Sequence, residues 1–349
     1  MARTRPSAAE LALVVEVEKQ GGTVTPTQLE RWRQQGWLPR TQEWFNPDSS
    51  TLRPDVVLRV AKLADYVRAG RGIGWVGWVF WAADDTADSA ARLRAALLKT
   101  LRRPFTRAGI EQVPEGDSDA AFQARQEAVA RLLKGRQSRR RDLDGTLRAA
   151  AAAAQVDLPR SPAHSIPNLR HRAMLELGAQ LGVGGVADIG FEGLMEAVER
   201  LGVDQTEIDQ LRETHRRAQL DGVDMLADDP FFAEGLVGVL QAIETADDQL
   251  LCAAVRACTV ASSTLWKVLK RARHNPELLL WLMSHVMWDQ WVRHSGFVPA
   301  GVAGEAALAL STVHFLTDPD WAEDLDRFVQ DMHTVLHATH PSRAQRPSP

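Results

Sequence analysis

Hydrophobic residues near the start of the chain recur at helical spacing in two short segments separated by a pair of glycines. Apolar residues three or four apart between residues 8 and 20 predict a first helix. These are Leu11, Val14, Val15 and Val17. Gly21-Gly22 follows and predicts a turn that ends the helix.

The start of the second segment carries the residues that cap a helix. Thr25 stands at the expected N-cap, Pro26 at the first helical position, and Gln28 three residues after the cap. A threonine cap followed by Gln at that spacing is a capping box, and proline is favoured where its missing N–H costs nothing. We therefore expect two helices joined by a tight turn.

The second segment has one apolar and one polar side. At 3.6 residues per turn, Leu29, Trp32 and Gly36 fall on one side. The opposite side carries Thr27, Glu30, Arg31 and Gln34. Gly36 and Pro39 then predict an abrupt end, because glycine accepts a left-handed conformation and proline cannot continue a helix. A short helix buried on one side and polar on the other suits the major groove of DNA.

The next residues predict a small hairpin and more helix. Residues 40–53 are polar and hold Asn46-Pro47, so we expect a wing hairpin held by Trp44, Phe45 and Leu52. A helix is expected from Pro54 to Gly70.

This order of elements resembles the DNA-binding domain of the MerR family of transcriptional regulators, over residues 8–83. The family's second helix carries a Leu, an aromatic residue three positions later, and Gly-Leu-Leu-Pro. The matching residues are Leu29, Trp32 and Gly36-Trp37-Leu38-Pro39. Related winged domains of excisionase type share this motif. The resemblance also implies a short helix over residues 75–81. The family usually has an Arg directly after the helix Leu, and that position is Glu30 here.

The pattern and the resemblance together predict a DNA interface. Contacts to base edges or phosphates are expected from Thr27, Gln28, Arg31 and Gln34, and contacts to the backbone from Arg33, Arg40 and Arg53. Structural support of the second helix is expected from Leu29, Trp32, Gly36, Trp37, Leu38 and Pro39.

Charge is distributed unevenly along the chain. Residues 1–60 carry eight Lys and Arg against seven Asp and Glu, so the predicted DNA-binding segment is almost neutral. Residues 149–349 carry 16 basic against 27 acidic residues, within a formal net charge of −4. An acidic partner would therefore be directed to the N-terminal half.

The whole chain predicts a mainly α protein. We expect a winged helix-turn-helix over residues 1–83 and a helical connector over 84–156, whose basic run at residues 136–141 is a candidate phosphate contact or a solvated helix end. An all-helical domain of unknown role, for ligand sensing or dimerisation, is expected over 157–339, and a disordered tail over 340–349. Within the connector, Pro104 is expected to stop a helix that begins at Ser89.

Composition adds a compartment. No signal peptide or membrane-spanning stretch is expected, and Cys252 and Cys258 lie in an apolar helical pattern that suits a reducing compartment. We therefore expect a cytoplasmic protein without a membrane partner.

The leading hypothesis is a regulator of transcription that binds double-stranded DNA, without a cofactor, a metal or enzymatic activity. A homodimer and a small-molecule effector remain open. One alternative is a phage- or plasmid-type accessory protein whose winged domain binds protein. A further alternative is a helical diphosphate-handling enzyme of terpene-synthase type, based on Asp84-Asp85-Thr86-Ala87-Asp88. The histidines at positions 333, 337 and 340 have a spacing that allows a shared metal ion. The alternative is that they lie at a solvated helix end.

Overall fold

The computed structural model describes residues 6–68, 74–134, 169–224, 226–227, 230–272, 304–317 and 320–338, together with 275, 277–278, 281–282 and 285. Within these ranges the protein is almost entirely helical, which confirms the mainly α prediction. The helices are α1 (Ala8–Lys19), α2 (Pro26–Gln34), α3 (Pro54–Arg68), α4 (Gly74–Asp84), α5 (Ala87–Arg107), α6 (Asp119–Leu133), α7 (Leu169–Gly184), α8 (Gly190–Arg200), α9 (Gln205–Leu220), α10 (Pro230–Thr245), α11 (Asp248–Ala272), α12 (Gly304–Thr317) and α13 (Trp321–Ala338).

Local capping fixes the first two helices. Ser7 and Glu10 form a capping box at the start of α1, and Thr25 and Gln28 form one at the start of α2. Each box satisfies two backbone N–H groups that a helix N-terminus leaves without partners. Between the helices, Gly21 has a φ of 79°, which permits the tight turn.

The predicted stranded wing is wrong in its detail. Residues 41–44 form a 3₁₀ helix, and the described part of the chain holds no β-strand. A single antiparallel bridge joins Phe45 to Leu52, and the Asn46 N–H donates to the Thr51 carbonyl at 3.0 Å. The segment is therefore a loop whose two ends are joined by these contacts. Its polar tip lacks the alternating apolar residues that would favour further strand pairing.

Pro104 does not stop α5 as expected. The helix runs from Ala87 to Arg107 and includes Pro104 in its last turns. A proline there removes only one helical hydrogen bond and kinks little helix beyond it.

Helix α4 lies between the first helices and the C-terminal half. It packs on α5 and on α11, and its Trp75, Trp78 and Trp81 are buried. The main hydrophobic core continues without interruption from Leu13 in α1 to Met332 in α13. The N-terminal helices are thus packed directly onto the helices that follow them.

Two smaller apolar clusters lie beside this core. One joins α6 to α7, and the other joins α7 to α8 and α9. Arg125 of α6 pairs with Asp188 at 2.7 Å, and both side chains are mostly buried. Hydrogen bonding to Asp188 is the main cause that raises the pKa of Arg125.

Several predictions lie outside the described residues. These are the basic run at residues 136–141, the part of the all-helical domain before residue 169 and the tail at residues 340–349.

Candidate nucleic-acid interface

The end of α2 is fixed by a glycine turn. Gly36 has a φ of 74°, its N–H donates to the Arg33 carbonyl at 2.9 Å, and the Trp37 N–H donates to the Trp32 carbonyl at 2.9 Å. This pair of bonds is a Schellman motif, which satisfies the last carbonyls of a helix and reverses the chain. The abrupt end expected from Gly36 is therefore present.

The apolar side of α2 is packed into the protein. Leu29 and Trp32 are essentially fully buried, and Trp37 and Leu38 are buried just beyond the helix. The Trp81 indole N–H of α4 donates to the Gly36 carbonyl at 2.8 Å. Pro39 is half-buried, and its carbonyl accepts from the Trp44 indole at 2.9 Å. The residues expected to support the helix thus line its contact with the core.

The polar side of α2 is open. Thr27, Arg31 and Gln34 are exposed. Among the described residues Arg31 has no side-chain hydrogen bond or ion pair. Gln28 is half-buried, and its Oε1 accepts from the Thr25 backbone N–H at 2.8 Å. The open side therefore consists of one uncompensated arginine and two neutral polar side chains.

Glu30 engages two of its neighbours on the helix. Its carboxylate accepts from Arg33 Nε at 3.0 Å and from Arg33 Nη2 at 2.6 and 2.7 Å. It also accepts from Gln34 Nε2 at 2.8 Å. Arg33, expected on the DNA backbone, is therefore already paired with a carboxylate. The spacing of three and four residues on a helix is the signal that could have revealed these contacts.

A polar groove runs from the end of α2 past the wing loop to the start of α5. Its volume is about 610 Å³. Four of the predicted DNA contacts line it, namely Arg33, Gln34, Arg40 and Arg53. It also contains Arg59 and Arg92, which sequence reasoning did not select.

Carboxylates balance most of the arginines in this groove. Arg53 pairs with Asp55 at 2.9 Å, and Arg92 pairs with Asp88 at 3.0 Å. Arg59 pairs with Asp84 and lies 5.2 Å from the centre of the Phe80 ring. Exposed Arg40 has no such partner within the part of the chain that the structure describes. The groove is thus rich in guanidinium groups and weak in net charge.

Each of the three aspartates in residues 84–88, the segment considered above for diphosphate binding, lies close to an arginine. Asp84 binds Arg59 and Asp88 binds Arg92, while Arg256 of α11 lies 3.7 Å from the Asp85 carboxylate and donates to the Ala82 carbonyl at 2.5 Å. The Thr86 side chain caps α5. Across the described ranges, no group of three or more His, Cys, Asp and Glu side chains is arranged to hold a metal ion.

The candidate histidine triad is described only at its first member. His333 is exposed, whereas the side chain of His337 and all of His340 lie outside the described residues. Asp331, which the sequence places near this triad, instead contacts His285 Nε2 at 3.0 Å.

No family model, curated protein or solved structure matches this chain. No helix in the described ranges is both long and apolar enough to cross a bilayer.

Proposed function

We propose that the protein binds double-stranded DNA through the polar side of α2 and acts as a regulator of transcription. The observation that carries the proposal is the division of α2 into a side buried by Leu29 and Trp32 and a side that exposes Thr27, Arg31 and Gln34. Side chains on one face of a short, rigidly held helix can reach base edges in the major groove.

The surroundings of α2 support this proposal. The capped start, the glycine end and the indole bond from Trp81 hold the helix at both ends. The polar groove described above begins at the C-terminal end of α2, where a phosphate backbone would pass. The order of elements resembles that of MerR-family DNA-binding domains, although the wing carries one bridge instead of strands.

The charge balance sets an expectation for affinity. Because most groove arginines are paired with carboxylates, few phosphates would be neutralised without breaking an ion pair. Nonspecific affinity arises mainly from phosphate neutralisation and falls steeply with salt. We therefore expect weak binding to random DNA at physiological salt and measurable binding at low salt.

A gel-shift series over genomic fragments at low and physiological salt tests the proposal. Arg31→Ala should weaken binding, because Arg31 is the exposed basic residue on the open side. Arg217→Ala removes an exposed arginine of the remote helix α9 and serves as the matched control. Equal binding by the Arg31 variant and the parent would show that α2 does not face DNA.

A second candidate function is protein binding by the same N-terminal helices. It is favoured by the exposure of Leu11, Val15 and Leu58, which are 51, 51 and 57% exposed around a single groove. Large exposed apolar patches often mark interaction sites. Absence of any gel shift at low salt, with retained fold, would favour this role over DNA binding. Dimerisation and an effector site in the C-terminal helices remain part of the regulatory proposal.

A further inference from the structure

Glu30 places a carboxylate on the surface that is proposed to face DNA, where an acidic side chain is unexpected. Glu30 is the one acidic residue of α2, and its side chain is 38% exposed. A free carboxylate there would repel phosphates. The Glu30 carboxylate is not free, because it accepts hydrogen bonds from Arg33 and Gln34.

Both carboxylate oxygens are occupied. Oε1 accepts from Arg33 Nη2 at 2.6 Å and from Gln34 Nε2 at 2.8 Å. Oε2 accepts from Arg33 Nε at 3.0 Å and from Arg33 Nη2 at 2.7 Å. A carboxylate has about four lone-pair positions, so little capacity remains for a base. Direct acceptance from the amino group of cytosine would require breaking one of these bonds.

The bond to Glu30 fixes the orientation of the Gln34 amide. A carboxylate only accepts hydrogen bonds, so the nitrogen of the amide must face it. Gln34 Oε1 and the second hydrogen of Nε2 then remain available on an exposed side chain. A glutamine amide reads adenine with this combination, since its oxygen accepts from N6 and its nitrogen donates to N7.

We propose that Glu30 is a positioning residue that orients Gln34 to recognise adenine in the major groove and lowers nonspecific affinity by neutralising Arg33. This inference rests on the proposed function. Gln34 is the residue that contacts the base, and Glu30 acts through it. The ligand class is a duplex site with an A·T pair facing the C-terminal end of α2.

Selection from a library of randomised duplexes tests the inference, with the full chain and its variants Glu30→Ala, Glu30→Gln and Gln34→Ala. The wild type should enrich an adenine position. Both alanine variants should lose it, with preference falling by about 5- to 150-fold, the range for a bidentate base contact. Glu30→Gln keeps an oxygen that can accept from Gln34 and should retain part of the preference.

Salt dependence separates positioning from simple loss of structure. Glu30→Ala and Glu30→Gln release Arg33, so the slope of log affinity against log salt should steepen by about one unit, as expected for one more phosphate contact. Gln34→Ala should leave the slope unchanged. Adding Gln34→Ala to Glu30→Ala should cost no further preference, because both changes remove the same contact. Glu16→Ala, which breaks the exposed pair with Lys19 on α1, should change neither readout.

Four results would overturn the inference, the last of them together with the proposed function. Retention of the adenine preference in Glu30→Ala would show that Gln34 needs no orientation. A cytosine preference lost in Glu30→Ala but kept in Gln34→Ala would show that Glu30 contacts the base itself. Duplex binding by the wild type without any adenine position would exclude the inference alone, whereas absence of duplex binding at low salt would exclude the proposed function together with it.

Discussion

At the scale of single residues, the placement of α2 depends on its cap. The Thr25 hydroxyl accepts from the Gln28 N–H at 3.3 Å, and the Gln28 side chain accepts from the Thr25 N–H at 2.8 Å. Removing a threonine cap leaves a helix N–H without its partner and costs about 1 kcal/mol.

Thr25→Ala should therefore lower the free energy of unfolding by about 1 kcal/mol, measured by urea denaturation. Thr27→Ala is the matched control, because Thr27 is exposed within the same helix and makes no capping bond. Equal stability of the Thr25 variant and the parent would mean that the cap does not hold the helix start.

The two cysteines provide a second test at this scale. Cys252 and Cys258 are buried and unpaired, and burial is the main cause that raises the pKa of each thiol, to about 12 for Cys258. The reactive form of a thiol is the thiolate, which is scarce well below its pKa. The native protein should thus react slowly with a thiol reagent at neutral pH and quickly in denaturant. Rapid reaction of the native protein would contradict the burial of these side chains.

The role of a residue could be predicted when its contacts are with near neighbours in the sequence, and not when its partner lies far along the chain. The cap of Thr25, the buried positions Leu29 and Trp32 and the turn at Gly36 follow from neighbours within a few residues. The pair Arg59–Asp84 joins residues 25 apart, and the pair Arg94–Asp248 joins residues 154 apart. Contacts of this kind depend on how helices pack and leave no local pattern. The groove beside α2 was therefore only half predicted.

At the scale of elements, α4 braces the end of α2. Gly77 lies against the Trp37 indole so closely that a methyl group at this position would overlap the ring. The resemblance to MerR-family domains predicted a short helix here, but not that the helix contacts both the α2 end and α11. The wing was mispredicted for a related reason, because a polar hairpin depends on its neighbours for support.

Gly77→Ala should reduce the free energy of unfolding by about 1 to 3 kcal/mol, the usual cost of overpacking a core. Gly178→Ala is the matched control in α7, where an added methyl group meets no atom within 4 Å. That change should leave stability equal or raised by about 0.5 to 1 kcal/mol, since alanine is the better helix former. A stable Gly77 variant would show that α4 and Trp37 are not tightly packed.

At the scale of the whole molecule, the continuous core links α1 to α13. The sequence predicted an N-terminal domain, a connector and a C-terminal helical domain. In the structure α4 packs against α11 and α12, and α5 packs against α10, α11 and α12. Because α4 and α5 pack against the C-terminal helices, unfolding of one half of the chain should destabilise the other half. Periodicity gave the helices, but the pairing of helices across long separations could not be read from it.

Calorimetry should therefore show one main unfolding transition that includes the N-terminal helices, with similar calorimetric and van't Hoff enthalpies. Arg256→Ala, which removes the contacts of α11 with Ala82 and Asp85, should shift this transition as a whole to lower temperature. Two well-separated transitions would show that the N-terminal helices unfold independently.

The central claim, that the polar side of α2 faces DNA, is tested most directly by photo-crosslinking from that side. Both native cysteines are fully buried, so Thr27→Cys can be labelled selectively with a photoreactive group, and Leu220→Cys on α9, where the native side chain is 73% exposed, is the control. With duplex present at low salt, the label at residue 27 should crosslink to DNA and the label at residue 220 should not. Binding of the duplex without crosslinking from residue 27, or equal crosslinking from both positions, would contradict the assignment.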